Sequence, residues 1–279
     1  SAGDLAHART EVESWLCEPR RFVEIQNLSG LIERHEERLE AAGAPLRIAL
    51  LGDFTTHPVR IVLRVVGLML GRRVSIHEAD YDTYRVEILN RQSALHAFRP
   101  EVAILATSTA ANRVWPRPGA GEEEARALAG SVIEGLETLW RSLRESSGAF
   151  VVQHAFEPPA FGEPAGRGAA SRPWSATGFT RRLNEALWAR DGHGMRVLDT
   201  EALATRAGSW NWTDPRLYFH SKHAFHPNAA SDYALALAGL LRAQTGRPRK
   251  VMVTDLDNTL WGGTIGDDGP EGIAFSSET

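Results

Sequence analysis

From Leu46 onward the chain alternates short, almost wholly apolar runs with longer amphipathic ones, and this alternation restricts the fold more than any other feature of the sequence. The runs Arg47–Gly52, Val74–Ala79, Val102–Thr107, Phe150–Gln153 and Arg196–Leu198 predict five strands. Strands that are apolar along their whole length are covered on both faces, which calls for a parallel sheet between two helical layers. The segments His57–Leu70, Tyr84–Leu89, Glu122–Arg144 and Thr177–Arg190 supply the helices between them, and Asn228–Ala243 a last one. His57–Leu70 carries Val59, Val62, Leu63, Val66 and Leu70 on one face, and Gly71 stops it. The expectation is a three-layer, flavodoxin-like α/β domain over residues 44–245. A helical segment, 1–43, precedes it, read from apolar residues at three- and four-residue steps between Leu5 and Gly43. Cys17 falls beside Trp15 and Leu16 on the apolar face of that segment and is expected in the core.

Composition narrows the partners. With 43% hydrophobic and 24% charged residues the chain has the make-up of an ordinary globular protein. Its net charge of -4 gives no general electrostatic attraction to nucleic acid or anionic membrane. A single cysteine excludes an internal disulfide and fits a reducing compartment. No apolar run approaches the ~20 residues of a membrane span, and the first residues lack a basic segment followed by an apolar one. A cytoplasmic location is expected.

Near the C-terminal end the chain reads Lys250-Val-Met-Val-Thr-Asp255-Leu-Asp257-Asn-Thr259-Leu-Trp261-Gly-Gly-Thr-Ile-Gly-Asp-Asp-Gly269. Val251–Thr254 predicts a buried parallel strand that delivers two carboxylates to its C-terminal edge. Asp255 is placed to attack a phosphoryl phosphorus, and Asp257, two residues on, to protonate the leaving oxygen and then activate water. Such chemistry needs a hard cation, Mg²⁺ by preference, held by Asp255 and Asp257. The stretch resembles the first motif of the haloacid-dehalogenase (HAD) superfamily, and its length matches the FkbH-like branch. The resemblance implies that Asp255 is the phosphoryl-handling aspartate, Asp257 the general acid/base and Thr259 a motif partner. It also implies an activity: removal of phosphate from a phosphorylated glycerate and loading of the glyceryl unit onto the phosphopantetheine thiol of an acyl carrier protein. Ten residues follow Gly269, so residues 246–279 are read as a linker and the opening strand of a truncated HAD Rossmann-like domain, with too few partner residues for turnover.

The strand-end loops of the first domain carry a second resemblance. Gly52-Asp53-Phe54-Thr55-Thr56-His57 and His220-Ser-Lys-His223-Ala-Phe-His226-Pro are similar to the opening and closing blocks of SGNH/GDSL hydrolases. Phe54 stands where the nucleophilic serine belongs, and a phenyl ring cannot attack an acyl carbon. His226 takes the base position and His223 that of the residue orienting it. Asn112 is near enough in sequence to supply an oxyanion donor, and Thr55 is the nearest hydroxyl. An acyl-ester hydrolase or acyltransferase using Thr55 or Asp53 with His226 is therefore one alternative reading, and a non-catalytic module docking a carrier protein another. Asp53 also suits a helix cap or Asx turn. Two irregular stretches interrupt the domain: Glu157–Ser175, with the composition of a disordered insert, and Gly208–Phe225, with Trp210, Trp212 and Tyr218. The aromatic loop, with His220, His223, His226 and Asn112, is expected to form a wall for a phosphopantetheine arm.

Overall fold

Five parallel strands form one sheet in the order β2-β1-β3-β4-β5. The computed structural model describes residues 2–37, 44–159, 171–192, 194–245, 251 and 253–274. The strands are β1 (Leu46–Gly52), β2 (Val74–Glu78), β3 (Val102–Ala106), β4 (Phe150–His154) and β5 (Met195–Leu198). Central β1 pairs with β2 on one side and β3 on the other, Leu50 lying opposite both Glu78 and Ile104. This order is that of a doubly wound, flavodoxin-like sheet, and the expected fold class is the one observed.

Alternate residues of the central strands feed two separate cores. Ile48, Leu50 and Ile104 face a layer built by α1 (Ala2–Leu16), α2 (Phe22–Arg34), α3 (His57–Leu70) and the C-terminal helix Ala230–Thr245. Ala49, Leu51, Ala103 and Leu105 face the other layer, with α4 (Tyr84–Leu89), α6 (Glu122–Ser147) and α7 (Ala176–Trp188); the short α5 (Ala94–Phe98) adds Leu95 to this core. Because both sets are buried, the strand sequences have no polar side to show, and the apolar runs follow.

The N-terminal segment is two helices. The chain breaks at residues 17–21, around Pro19, which cannot donate to a helical ladder and clashes with the preceding turn. Leu16 occupies the core position at this break, and Cys17 is exposed, its Sγ donating to the Glu13 carbonyl at 3.3 Å. Cys17 is therefore a surface residue and not the core residue expected. Gly43 and Leu39 lie outside the described residues, as does most of the Pro/Gly/Ala stretch after Glu157.

Gly208–Phe225 is largely helical. After α8 (Thr200–Ala207) come α9 (Ser209–Trp212) and α10 (Pro215–Ser221), and a 3-10 turn (Pro227–Ala229) leads into the C-terminal helix. Asp199 caps α8 by accepting from the Ala202 amide, and Asp214 caps α10 by accepting from that of Arg216.

The chain divides into two compact units, 1–242 and 243–279. In the second, the apolar run expected as a strand is not one among the described residues: Val251 and Val253 are 75% and 90% exposed. A parallel strand exists only through hydrogen bonds to neighbours, and among the described residues none pairs with it. What forms is a loop, with a one-turn helix at Ile265–Asp268 and Gly262 bridged antiparallel to Ala274. Among the described residues no helix is long and apolar enough to cross a membrane.

Candidate functional site

β1 ends at Gly52, where a side chain would strike Thr56 at 2.5 Å, so only glycine lets the following turn close. The Asp53 amide then donates to the Ala106 carbonyl, tying the ends of β1 and β3 together. Asp53 accepts from the Ser108 amide and hydroxyl, both at 3.2 Å. Burial holds its carboxyl well above the usual range, against the lowering effect of the Ser108 amide, and the neighbouring Glu157 adds to the rise. Glu157 lies beyond the end of β4, accepts from the Thr109 amide at 3.0 Å and is pushed up by burial to about 7. Two buried acids thus share the C-terminal edge of the sheet. Sequence reasoning singled out Asp53 and missed Glu157; its only signal was a carboxylate three residues after a buried strand.

A cavity of about 510 Å³ opens beside Asp53. It lies at the ends of β1 and β3, between α4 and α6, and Asn112 lines it together with Asp53. The Asn112 side-chain Nδ2 donates to the Val114 carbonyl at 2.8 Å, and the Asn112 backbone carbonyl accepts from the Trp115 indole.

The remaining candidates of this unit stand elsewhere. Thr55 donates its hydroxyl to the Ser221 carbonyl at 2.6 Å and its amide to the Lys222 carbonyl, which pins α10 to the end of β1. His226 caps the 3-10 turn, its Nδ1 accepting from the Asn228 amide at 3.1 Å. His223 Nδ1 meets the Ser221 hydroxyl at 2.7 Å, and burial pulls its pKa down. His220 is exposed. Among the described residues no hydrogen bond joins His226 to Thr55 or Asp53. Phe54 is buried edge-on to Phe225, with ring centres 5.8 Å apart, and 6.3 Å from the buried His154, whose Nε2 meets the Tyr233 hydroxyl. Trp212 is fully buried and stacks on Phe225 at 5.0 Å, so it packs in the core. The side chain of Trp210 lies outside those described.

In the second unit the loop folds around Asp257. Its Oδ1 accepts from the Trp261 indole at 3.1 Å and from the Ile265 amide at 3.2 Å. Asn258 takes a left-handed conformation (φ 55°) and its side chain accepts from the Gly263 amide. Asp255 Oδ1 accepts from the Leu256 amide, and the Thr259 amide donates to the Leu256 carbonyl. Two carboxylates two residues apart are donors a hard cation accepts, and Mg²⁺ is commonly held by one or two carboxylates plus water and phosphate oxygens. Among the described residues no third His, Cys, Asp or Glu joins them into a protein-only metal cage.

The first unit is thus a flavodoxin-like, three-layer α/β domain with a cavity where the strand order reverses. The crystal structure of the N-terminal part of the protein BF1531 from Bacteroides fragilis, containing a phosphatase domain complexed with Mg, is similar: TM-score 0.69, 21% identity, 91% of this chain covered. The chain spans 65% of the length of that structure, and the likeness is one of fold. More distant are a GDSL-like lipase (BT0569) from Bacteroides thetaiotaomicron, at TM-score 0.40 and 13% identity over 76% of this chain and 98% of that one, and a phospholipase A1 from Streptomyces albidoflavus NA297. The latter has TM-score 0.43 and 16% identity over 72% of this chain and 100% of its own. No protein-family model and no curated protein sequence matches the chain.

Proposed function

We propose that the chain is part of an FkbH-like enzyme that removes phosphate from a phosphorylated glycerate and loads the glyceryl unit onto an acyl carrier protein. The observation that carries this reading is the loop from Asp255 to Ala274: the residues of the motif are the ones that build it. Asp257 organises the turn through the Trp261 indole and the Ile265 amide, while Asp255 projects from it. In this reading the phosphate ester on a glycerate hydroxyl is cleaved as an Asp255 oxygen bonds to phosphorus and Asp257 protonates the leaving oxygen; the thioester forms in a separate step, in which the carrier thiol gives up its proton and displaces phosphate from a glycerate carboxyl carried as an acyl phosphate. Mg²⁺, held by Asp255 and Asp257, supplies charge to set against phosphate oxygens. The similarity to a phosphatase-domain protein that binds Mg supports the same class of chemistry.

The hydrolase alternative has no comparable support. Its hydroxyl, on Thr55, is committed to a carbonyl, and its base, His226, accepts a backbone amide. A nucleophile and base that act together need a hydrogen bond between them or room to make one.

The test uses the full-length gene product with Mg²⁺, a holo carrier protein and a glycerate phosphorylated both on a hydroxyl and, as an acyl phosphate, on its carboxyl. A glyceryl mass increment free of phosphate is expected on the carrier, and Asp255→Asn is expected to leave the hydroxyl phosphate uncleaved. No increment with the wild-type protein, or cleavage of the hydroxyl phosphate that persists in Asp255→Asn, overturns the proposal.

A further inference from the structure

Helix α6 leaves one wall of the cavity bare at Gly135. Glycine inside a helix is destabilising, and this one lies in the interior of a 26-residue helix. A Cβ built there meets nothing within 4 Å, so no neighbouring atom demands a glycine. What the missing side chain preserves is the volume of the cavity it lines. That volume, about 510 Å³, is in the range of small-molecule sites. The cavity also lies where β2 and β3 depart to opposite sides of β1, the point at which open α/β sheets seat ligands.

Its polarity changes from floor to rim. At the floor, Asp53, Thr107 and Ser108 are all buried. Ser108 donates its hydroxyl to Asp53 there and burial raises the Asp53 carboxyl, so the floor is polar and suits a hydrogen-bonding group better than a second anion. The α6 wall adds Val132 and Leu136. At the rim, Val86 and Val114 are exposed beside two guanidinium groups. Arg113 pairs with Asp82 at 2.5 Å, which cancels one positive charge. Arg85 lies over the Tyr84 ring at 5.2 Å and has no carboxylate partner among the described residues. One positive charge therefore stands uncancelled at the rim.

We propose that this cavity binds a slender, singly anionic small molecule. Its anionic group meets Arg85, its apolar middle crosses Val132 and Leu136, and a neutral amide or hydroxyl at its far end meets Asp53 and Ser108. The site uses neither Phe54, Thr55 nor His226, and it stands independently of the phosphoryl-transfer reading. With one uncancelled guanidinium at the rim, a second anionic group would find no partner, and the apolar wall of Val132 and Leu136 disfavours a ligand with no carbon chain.

The probe is ε-acetamidocaproate, which has an amide, a methylene chain and one carboxylate; its neutral carboxamide and caproate are the controls. Binding is read by calorimetry and by amide shifts of Ser108 and Gly135. Saturable binding at millimolar concentration is expected, weaker for either control. Arg85→Ala is expected to weaken it about tenfold, the scale of one charge-assisted hydrogen bond. Gly135→Leu, which fills open space on a helix, is expected to abolish binding while circular dichroism and the melting temperature hold. Absence of binding by the wild-type protein overturns the proposal. So does binding that Gly135→Leu leaves intact, or equal affinity for the acid and its carboxamide.

Discussion

His154 and Glu157 flank the end of β4, and burial drives both toward the neutral form while giving them opposite effects on stability across pH. Burial lowers His154 to about 3, so the folded protein refuses a proton that the unfolded chain takes up below 6.5. Its contribution is complete above 6.5 and is lost as pH falls toward 3. Glu157, raised to about 7 from 4.5, keeps a proton that the unfolded chain releases. Its contribution is complete below 4.5 and is lost as pH rises through 7; Asp53, which burial also raises, contributes in the same sense. Glu157→Gln retains an oxygen acceptor for the Thr109 amide, so it is expected to flatten the loss of melting temperature between about pH 5 and about pH 8, worth on the order of 2–3 kcal/mol. An undiminished loss in the variant refutes this assignment. Phe54 gives a second expectation at this scale. Buried against Phe225 and His154, it should cost about 3–5 kcal/mol of unfolding free energy when replaced by alanine, and the wild-type protein should leave p-nitrophenyl acetate untouched. Asp53 was legible because it follows a strand in a block that resembles a hydrolase motif. Glu157 and Ser108 were not, because their part in the site comes from a sheet edge that joins residues about fifty positions apart.

Two helices answer one substitution in opposite ways. In α3, a Cβ at Gly67 meets the Arg72 carbonyl and Val74 Cγ1, both at 2.8 Å, because the helix lies hard against the turn into β2. In α6, Gly135 faces open space. Gly135→Ala should therefore stabilise the protein by about 1 kcal/mol. Gly67→Ala should destabilise it by about 1–3 kcal/mol through overpacking. Urea midpoints measure both, and a common sign would contradict the packing described. The strands and long helices were readable because burial on both faces of a sheet and on one face of a helix imposes a period on the sequence. The short helices α9 and α10 were read as irregular, although Asp214-Pro215 is a cap followed by the residue best suited to a first helical turn. The run at Val251 misled for the opposite reason. Its apolar residues are those of a strand, but strand formation is a property of the neighbours as much as of the run.

Over the whole molecule, charge is unevenly placed. Residues 251–274 contain five acidic side chains and no lysine or arginine, so this stretch offers a phosphate ester at Asp255 no positive charge of its own. The 279-residue chain should accordingly leave p-nitrophenyl phosphate unhydrolysed without added metal, and phosphate release in a chelator, abolished by Asp255→Asn, would show a source of positive charge that residues 251–274 lack. The first unit is closed by contacts between its extremes. The Phe22 amide donates to Asn228, 206 residues further on, and Arg242 pairs with Glu13, 229 residues away. During synthesis, at roughly 5–20 residues per second, the two N-terminal helices would wait on the order of 10–50 s for the helix that covers them. For that time Leu16, Ile25 and Ile32 have only part of their final burial, so apolar surface that leaves the ribosome ahead of the sheet is among the last of this unit to be sealed.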